Sequence, residues 1–282
     1  MLTVTFWGVR GSTPCPGPHT AAYGGNTACV VVDRPGGAPP IIFDLGTGVT
    51  AYGRALASQP DTGPFAGVAL VSHLHWDHIQ GIPFFGPILR PGAELDLYGP
   101  VQSEGTLADA FGQHIAPPVF PVSLEMLPGT VRYHEMEGTV IEREGTRIES
   151  FEVPHVGPTI GFRIDHGDAS LAFICDHQQP YDGSLEVPPH IVEACAGVDL
   201  LIHDSQYSVE EFAVKSTWGH CTPEFALEVA LLSEAKRLVL FHHDPSHDDA
   251  WVAAQHARIE AMAGERCQVL AAAEGMVLTS GA

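Results

Sequence analysis

Basic side chains are scarce in this chain of 282 residues: 13 Lys and Arg stand against 34 Asp and Glu, for a formal charge of -21, and only Lys215 and Lys236 are lysines. A protein that grips duplex DNA or long RNA sets many cations against phosphates. No basic stripe exists here to do that, so duplex DNA and other long polyanions are excluded as expected partners. A single phosphate held by a metal is not. Long apolar runs are missing too: no stretch approaches the roughly 20 apolar residues that cross a bilayer. The start, MLTVTFWGVRG, has neither a basic n-region nor an apolar h-region. The expectation is a cytoplasmic protein with no membrane partner. Six cysteines (Cys15, Cys29, Cys175, Cys195, Cys221, Cys267) lack paired spacing, and a chain of this length does not need disulfides. They read as reduced, mostly packed thiols. No period of roughly 20 to 50 residues stands out, which excludes a solenoid.

What is present is globular: 45% apolar and 17% charged residues, far from the signature of disorder. One domain over residues 1–282 is expected. LTVTFWGV, TACVVVD and PPIIFDLGTG are short apolar or β-branched runs bounded by Gly, Pro or Asp, so the first fifty residues read as a strand meander. A helix fits GVTAYGRALASQ, and strand GVALVS runs straight into HLHWDH. From about Ile82 to Val140, Pro, Gly and mixed patterning read as an irregular lid or wall containing a helical SEGTLADAFGQHI. Strand signals resume with RIESFEVPH, TIGFRIDHG, ASLAFICDH, DLLIHDS and RLVLFHHDP, each ending in His or Asp. Helices are interleaved at SLEVPPHIVEACAG, TPEFALEVALLSEA and DAWVAAQHARIEAMAGE, the second with a Thr and Glu start that resembles a capping box. The alternation gives an α/β protein, with room for a crude symmetry of two α/β halves.

The chemistry concentrates in VSHLHWDHIQG. Residues two apart at the end of an extended segment project to one side, so His73 and His75 can share a metal, while Asp77 and His78 on the following turn can face a second ion. Imidazole and carboxylate suit zinc and also manganese or iron. A strand that terminates in His or Asp puts that side chain at the rim of its sheet, which adds His155, Asp176, His242 and His243 as candidates.

This pattern resembles the metallo-β-lactamase fold superfamily, whose H-x-H-x-D-H signature is matched by His73, His75, Asp77 and His78. The resemblance covers nearly the whole chain, FDLGTG included. It implies a four-layer αββα sandwich of two mixed β-sheets flanked by helices. It also implies two divalent metal ions, with zinc as the first expectation and Mn2+ or Fe2+ as the others. His73, His75 and His155 would hold one ion, Asp77, His78 and a terminal His the other, and Asp176 would bridge them. His242 is chosen over His243 for the last place, because its strand ends with the family's spacing and alternation sets the two rings on opposite faces. His243, Asp244 or His247 would support the ligands from behind. The thioester- and oxygen-directed uses of the fold fit less well: the first leaves Asp204 and His220 idle, and diiron relatives carry Glu where His75 stands.

Two ions a few ångströms apart can generate hydroxide and clamp both oxygens of an in-line displacement, and phosphodiester hydrolysis gains most from that. The remaining need is a proton for the leaving alcohol. His220, in WGHCTPEFALEVA, is the natural donor near neutral pH; the competing reading is that it merely caps the helix after it. The segments LLIHDS and GHCT also resemble the phosphodiesterase branch that contains ribonuclease Z and cyclic phosphodiesterases, which implies that Asp204 orients or charges His220. The basic arm that ribonuclease Z uses on transfer RNA has no counterpart. GVRGSTPCPG, YGGNTACV and FHHDPSHDD resemble bacterial hydrolases that include enzymes of cyclic nucleotides. The reading is therefore metal-bound hydroxide attack on a small phosphodiester, a 3′,5′-cyclic nucleotide foremost, with Asp77, Asp204 and His220 in catalytic roles. The alternatives are RNA 3′-processing and a non-catalytic metal sensor. Phe84, Phe85 and Trp218 are candidates to stack on a base, and Arg10 and Arg163 to pair with phosphate oxygen. Relatives of this branch commonly dimerise, so a homodimer is expected.

Overall fold

The computed structural model describes residues 1–60 and 63–281. Among the described residues, fourteen strands form two seven-stranded mixed sheets. The first contains β1 (Leu2–Gly8), β2 (Cys29–Asp33), β3 (Ile41–Phe43), β4 (Ala66–Leu70), β5 (Glu94–Pro100), β6 (Thr130–Met136) and β14 (Val277–Ser280), in the order β14-β1-β2-β3-β4-β5-β6. The second contains β7 (Val140–Arg143), β8 (Thr146–Glu152), β9 (Ile160–His166), β10 (Ala169–Ile174), β11 (Leu200–Asp204), β12 (Arg237–Phe241) and β13 (Gln268–Ala271), in the order β13-β12-β11-β10-β9-β8-β7. Each sheet changes from antiparallel to parallel pairing at one strand, β3 in the first and β10 in the second. The two halves share one plan.

Alternation along the strands explains the layering. Leu200 and Ile202 of β11 and Val239 and Phe241 of β12 enter the cluster between the sheets, while Leu201, Leu238 and Leu240 face helices outside. Parallel neighbours need crossovers, and these supply the outer layers. Helix α1 (Gly48–Ala57) and α3 (Leu107–His114) cover the first sheet, whereas α4 (Pro189–Ala194), α6 (Pro223–Leu232) and α7 (Asp249–Ala263) cover the second. The result is the expected four-layer αββα sandwich. Its central layer includes Phe43, stacked on Phe173 at 4.5 Å and tilted against Phe162 at 5.9 Å.

Several local expectations change. The span from Ile82 to Val140 is not only wall: it carries β5 and β6, which extend the first sheet in parallel. Their strand signal is weak because β5 ends in Gly99 and Pro100, and β6, at the sheet edge, is only partly buried. Two further short helices are present: α2 (Trp76–Ile79), where a turn was expected, and α5 (Val209–Lys215), in a stretch given no assignment. Helix α4 is confined to six residues after Pro188. At α6, the Thr222 side chain accepts from the Phe225 N–H; Phe225 occupies the third position, so the reciprocal half of a capping box is absent. All six cysteines are free. Among the described residues no helix is long and apolar enough to cross a membrane.

Phe43 is fully buried where the two sheets meet. Phe43→Ala should cost about 3–5 kcal/mol, the usual loss for an aromatic side chain deleted from a packed core, measured by urea unfolding. A loss below about 1 kcal/mol would show that stability does not depend on inter-sheet packing there.

Candidate metal centre

Strands β3, β4, β10, β11 and β12 end along one rim of the sandwich, where open α/β sheets gather their polar side chains. Asp44, His73, Asp176, Asp204 and His242 lie just beyond these ends or at them. The donors form two groups. In one, His155 Nε2 is 3.2 Å from His75 Nδ1, and His73 Nε2 and His155 Nε2 are each 3.6 Å from Asp176 Oδ2. In the other, Asp77 Oδ2 is 3.1 Å from both His78 Nε2 and His242 Nε2, and these two nitrogens are each 3.3 Å from Asp176 Oδ1. Asp176 thus turns one oxygen to each group.

Burial makes this arrangement expensive unless something joins the donors. His73 Nε2, His78 Nε2 and Asp176 Oδ1 are buried with no hydrogen-bond partner, and an orphaned buried polar atom costs about 1–3 kcal/mol. Nitrogen and oxygen donors converging from several directions are what a divalent cation needs. The residues fit such ions.

Other contacts orient the donors. His78 Nδ1 meets Asp44 Oδ2 at 2.9 Å, and Asp44 is itself held by the Ser72 N–H at 2.7 Å and the Ser72 hydroxyl at 3.0 Å. The Ser72 hydroxyl also lies 3.1 Å from His73 Nδ1, and Gly219 O is 2.7 Å from His155 Nδ1. Ser12 donates its N–H to Asp77 Oδ2 at 2.7 Å. A Cβ at Gly11 would come within 2.5 Å of the His242 ring, so glycine is required by close approach. Burial keeps His73 well below its ordinary pKa and His155 down at about 4, which leaves both neutral at physiological pH. His78 goes the other way: burial opposes its charge, but Asp77 and then Asp176 hold it well above the ordinary value.

His220 sits beside this cluster on the loop before α6. Its Nδ1 is 3.2 Å from Asp204 Oδ2 and 3.6 Å from Asp176 Oδ2. Asp204 is fully buried and also accepts the N–H groups of His177 at 3.1 Å and Gln206 at 3.0 Å. Burial disfavours the imidazolium, yet Asp204, followed by Asp176, raises His220 to about 9. The helix is capped by Thr222, so His220 is free of that duty. A cleft of about 340 Å³ opens at these residues, lined by His75, Asp77, Asp176 and His220 together with Ser12, Leu74, Trp76 and His114.

The expected substrate contacts mostly lie elsewhere. Arg10 is fully buried and donates to the carbonyls of Gly24, Asp244 and His247. Arg163 pairs with Asp165 and donates to Ala194 O and Ala196 O at the end of α4. Both guanidinium groups are structural. Phe85 is fully buried against Tyr52 and Phe65, so it cannot receive a base. Phe84 is exposed but stands edge-on to Phe120, and Trp218 is exposed beside Lys215; neither lines the cleft. His243 points away, with Nε2 3.0 Å from Ala272 O, and His247 meets Glu211 at 2.9 Å. Asp44 and Ser12 carry the clearest contributions that residue-type reasoning passed over. FDLGTG and GVRGS contained them, but their roles depend on folding back over the histidine loop.

A family model described as "Beta-lactamase superfamily domain" matches residues 41–243. Ribonuclease Z of Natronomonas pharaonis is 23% identical over 290 residues, covering 86% of both chains. Among solved structures, the metallo-beta-lactamase fold protein YhfI from Bacillus subtilis is similar with a TM-score of 0.71, at 15% identity over 98% of both chains. Human tRNase Z, short form, follows with a TM-score of 0.69 at 23% identity, again over 98% of both. With this family match, this sandwich and this His/Asp cluster, the chain belongs to the metallo-β-lactamase superfamily, as a metal-dependent hydrolase of its phosphodiester-cleaving branch.

Proposed function

We propose that the chain hydrolyses a small phosphodiester, a 3′,5′-cyclic nucleotide, to the monophosphate, with His220 as the acid for the leaving oxygen. The observation that carries this reading is His220 in the cleft lining, with Nδ1 3.2 Å from the buried Asp204 and 3.6 Å from Asp176. His73, His75 and His155 would hold one ion, Asp77, His78 and His242 the second, and Asp176 both. Such ions, zinc foremost, supply Lewis acidity and lower the pKa of water toward neutrality.

The chain's own residues do the rest. Asp204 takes up Nδ1 of His220, so Nε2 is the nitrogen left to pass a proton to the leaving alkoxide. Three donors, from His177, Gln206 and His220, keep Asp204 a poised acceptor and fix the ring's orientation. The raised pKa of His220 keeps it protonated near neutral pH. Asp44 does for His78 what Asp204 does for His220: it orients one nitrogen so that the other faces the cluster. The charge of -21 and the absence of a basic stripe favour a compact substrate over a large RNA. The ribonuclease Z relatives keep RNA 3′-processing as the second reading.

Zinc- or manganese-loaded protein should turn over cyclic AMP or cyclic GMP together with bis(p-nitrophenyl) phosphate. Inertness toward all three would sink the small-phosphodiester reading, and salt-sensitive cleavage of a transfer RNA precursor in their place would install the second. His220→Ala should lower kcat about 10²- to 10⁴-fold with metal content unchanged; loss of metal would make the residue structural. An acid must be protonated to act, and the raised pKa means that activity persists at neutral pH and falls as pH rises through the folded value. Asp204→Asn removes the main charge that raises it, so the alkaline limb of the pH–rate profile should move to lower pH. An unmoved limb would detach Asp204 from the acid. Asp44→Asn should weaken zinc binding about 10- to 100-fold, read by competition with a chelator, and unchanged affinity would release Asp44 from its orienting role.

A further inference from the structure

The cleft has two unlike parts. Its floor, the His/Asp cluster, holds ionisable side chains, and the rings of Trp76 and His114, with Ser12 and Leu74, complete the lining. Trp76 lies between His75 and Asp77, yet its side chain is not packed away: the residue is 50% exposed, whereas Asp77 is 5% exposed. Its ring stands edge-on to that of His114, with centroids 6.2 Å apart and planes at 69°. His114 ends α3 on the wall segment, and its Nδ1 is engaged by Ala110 O at 2.7 Å. Trp76 and His114 both line the cleft that contains His220 and Asp176.

We infer that Trp76 and His114 form a recognition subsite for the nucleobase, Trp76 offering its face for stacking and His114 closing the side. The inference rests on reading the cleft as a small-phosphodiester site. A phosphodiester that reaches the floor is tethered to the remainder of its molecule, and that remainder must leave through a cleft of about 340 Å³. Trp76 is one residue from two of the floor's side chains, so a group one sugar away from the phosphate meets the indole. Every base offers a π-face and stacks without needing a particular hydrogen-bond pattern. An indole is the largest such surface a side chain provides. Phe84 and Trp218, the other exposed aromatics weighed for this task, do not line the cleft. No Lys or Arg is among the residues that line the cleft, and His220 is taken up as the acid, so recognition of the organic part falls to the rings. The subsite therefore selects a single nucleotide by its base and sets little preference between bases.

Equilibrium binding separates this subsite from turnover. With zinc-loaded protein, adenosine 5′-monophosphate should bind at least about tenfold more tightly than ribose 5-phosphate, which has the same phosphate and no base. Trp76→Ala should abolish that preference while leaving ribose 5-phosphate affinity and metal content unchanged. Trp76→Phe should restore most of it, which a merely structural role would not predict. His114→Ala should lower the preference by a smaller factor. Equal binding of the two ligands by the unaltered protein, or a preference that survives Trp76→Ala, would overturn the subsite. In turnover, Trp76→Ala should raise KM for cyclic AMP about tenfold or more with kcat little changed. Hydrolysis of phosphodiesters with no preference for a substrate that carries a base over one that lacks it keeps the proposed function and rejects the subsite. A base preference in binding without any hydrolysis keeps the subsite and rejects the proposed function.

Discussion

Asp176 is the point on which the site hangs, because its two carboxyl oxygens face different groups of imidazoles from a fully buried position at the end of β10. A buried carboxylate is tolerated only where matching charge or donors surround it. Here four histidines and the His220–Asp204 pair come from five separate stretches of chain to meet that need. Both sheets must therefore be in register with each other before the site exists. The phenylalanine layer between them holds that register.

Backbone conformation shows the same concentration of constraint. Among the described residues five non-glycine positions have a left-handed φ, and three of them, Ser12, Asp44 and His242, touch the cluster. Such conformations cost about 1–3 kcal/mol each and persist where the surroundings over-determine them. The packing that secures them is local: Gly11 lies against the His242 ring, Ser72 holds Asp44, and the Ser12 N–H is anchored on Asp77. Rigidity of this kind is what a centre needs if its donors are to keep their positions while a substrate comes and goes.

The division of labour between the sheets follows from their ends. The first sheet contributes the histidine loop and the wall bearing α3, so the aromatic rim lies on its side of the cleft. The second contributes Asp176, Asp204 and His242, and the loop with His220, so the acid lies on its side. On the proposed reading, a substrate would meet recognition from one half and proton transfer from the other. The net charge of -21 would add a filter on that reading, because it disfavours extended polyanions.

Legibility followed the range of the interaction involved. The strands that lead into His73, Asp176, Asp204 and His242 were readable because apolar runs ending in His or Asp are local patterns, and the H-x-H-x-D-H spacing lies within six residues. Strands β5 and β6 were not, since Gly99 and Pro100 break the pattern of β5 and partial exposure hides the periodicity of β6 at the sheet edge. Arg10, Arg163, Phe84, Phe85 and Trp218 show why residue type alone cannot name a substrate contact. A guanidinium can neutralise carbonyls as well as phosphate, and an aromatic ring is as useful in a core as in a cleft. By itself the sequence determined the donor types, their local spacing, the alternation that makes two buried sheets, and the charge that disfavours long polyanions. Tertiary structure alone decided which oxygen of Asp176 meets which histidines, that Asp44 orients His78, and that Trp76 rather than Phe85 faces the cleft. Those outcomes depend on contacts between segments tens to hundreds of residues apart, and burial there is set by the packing of whole sheets.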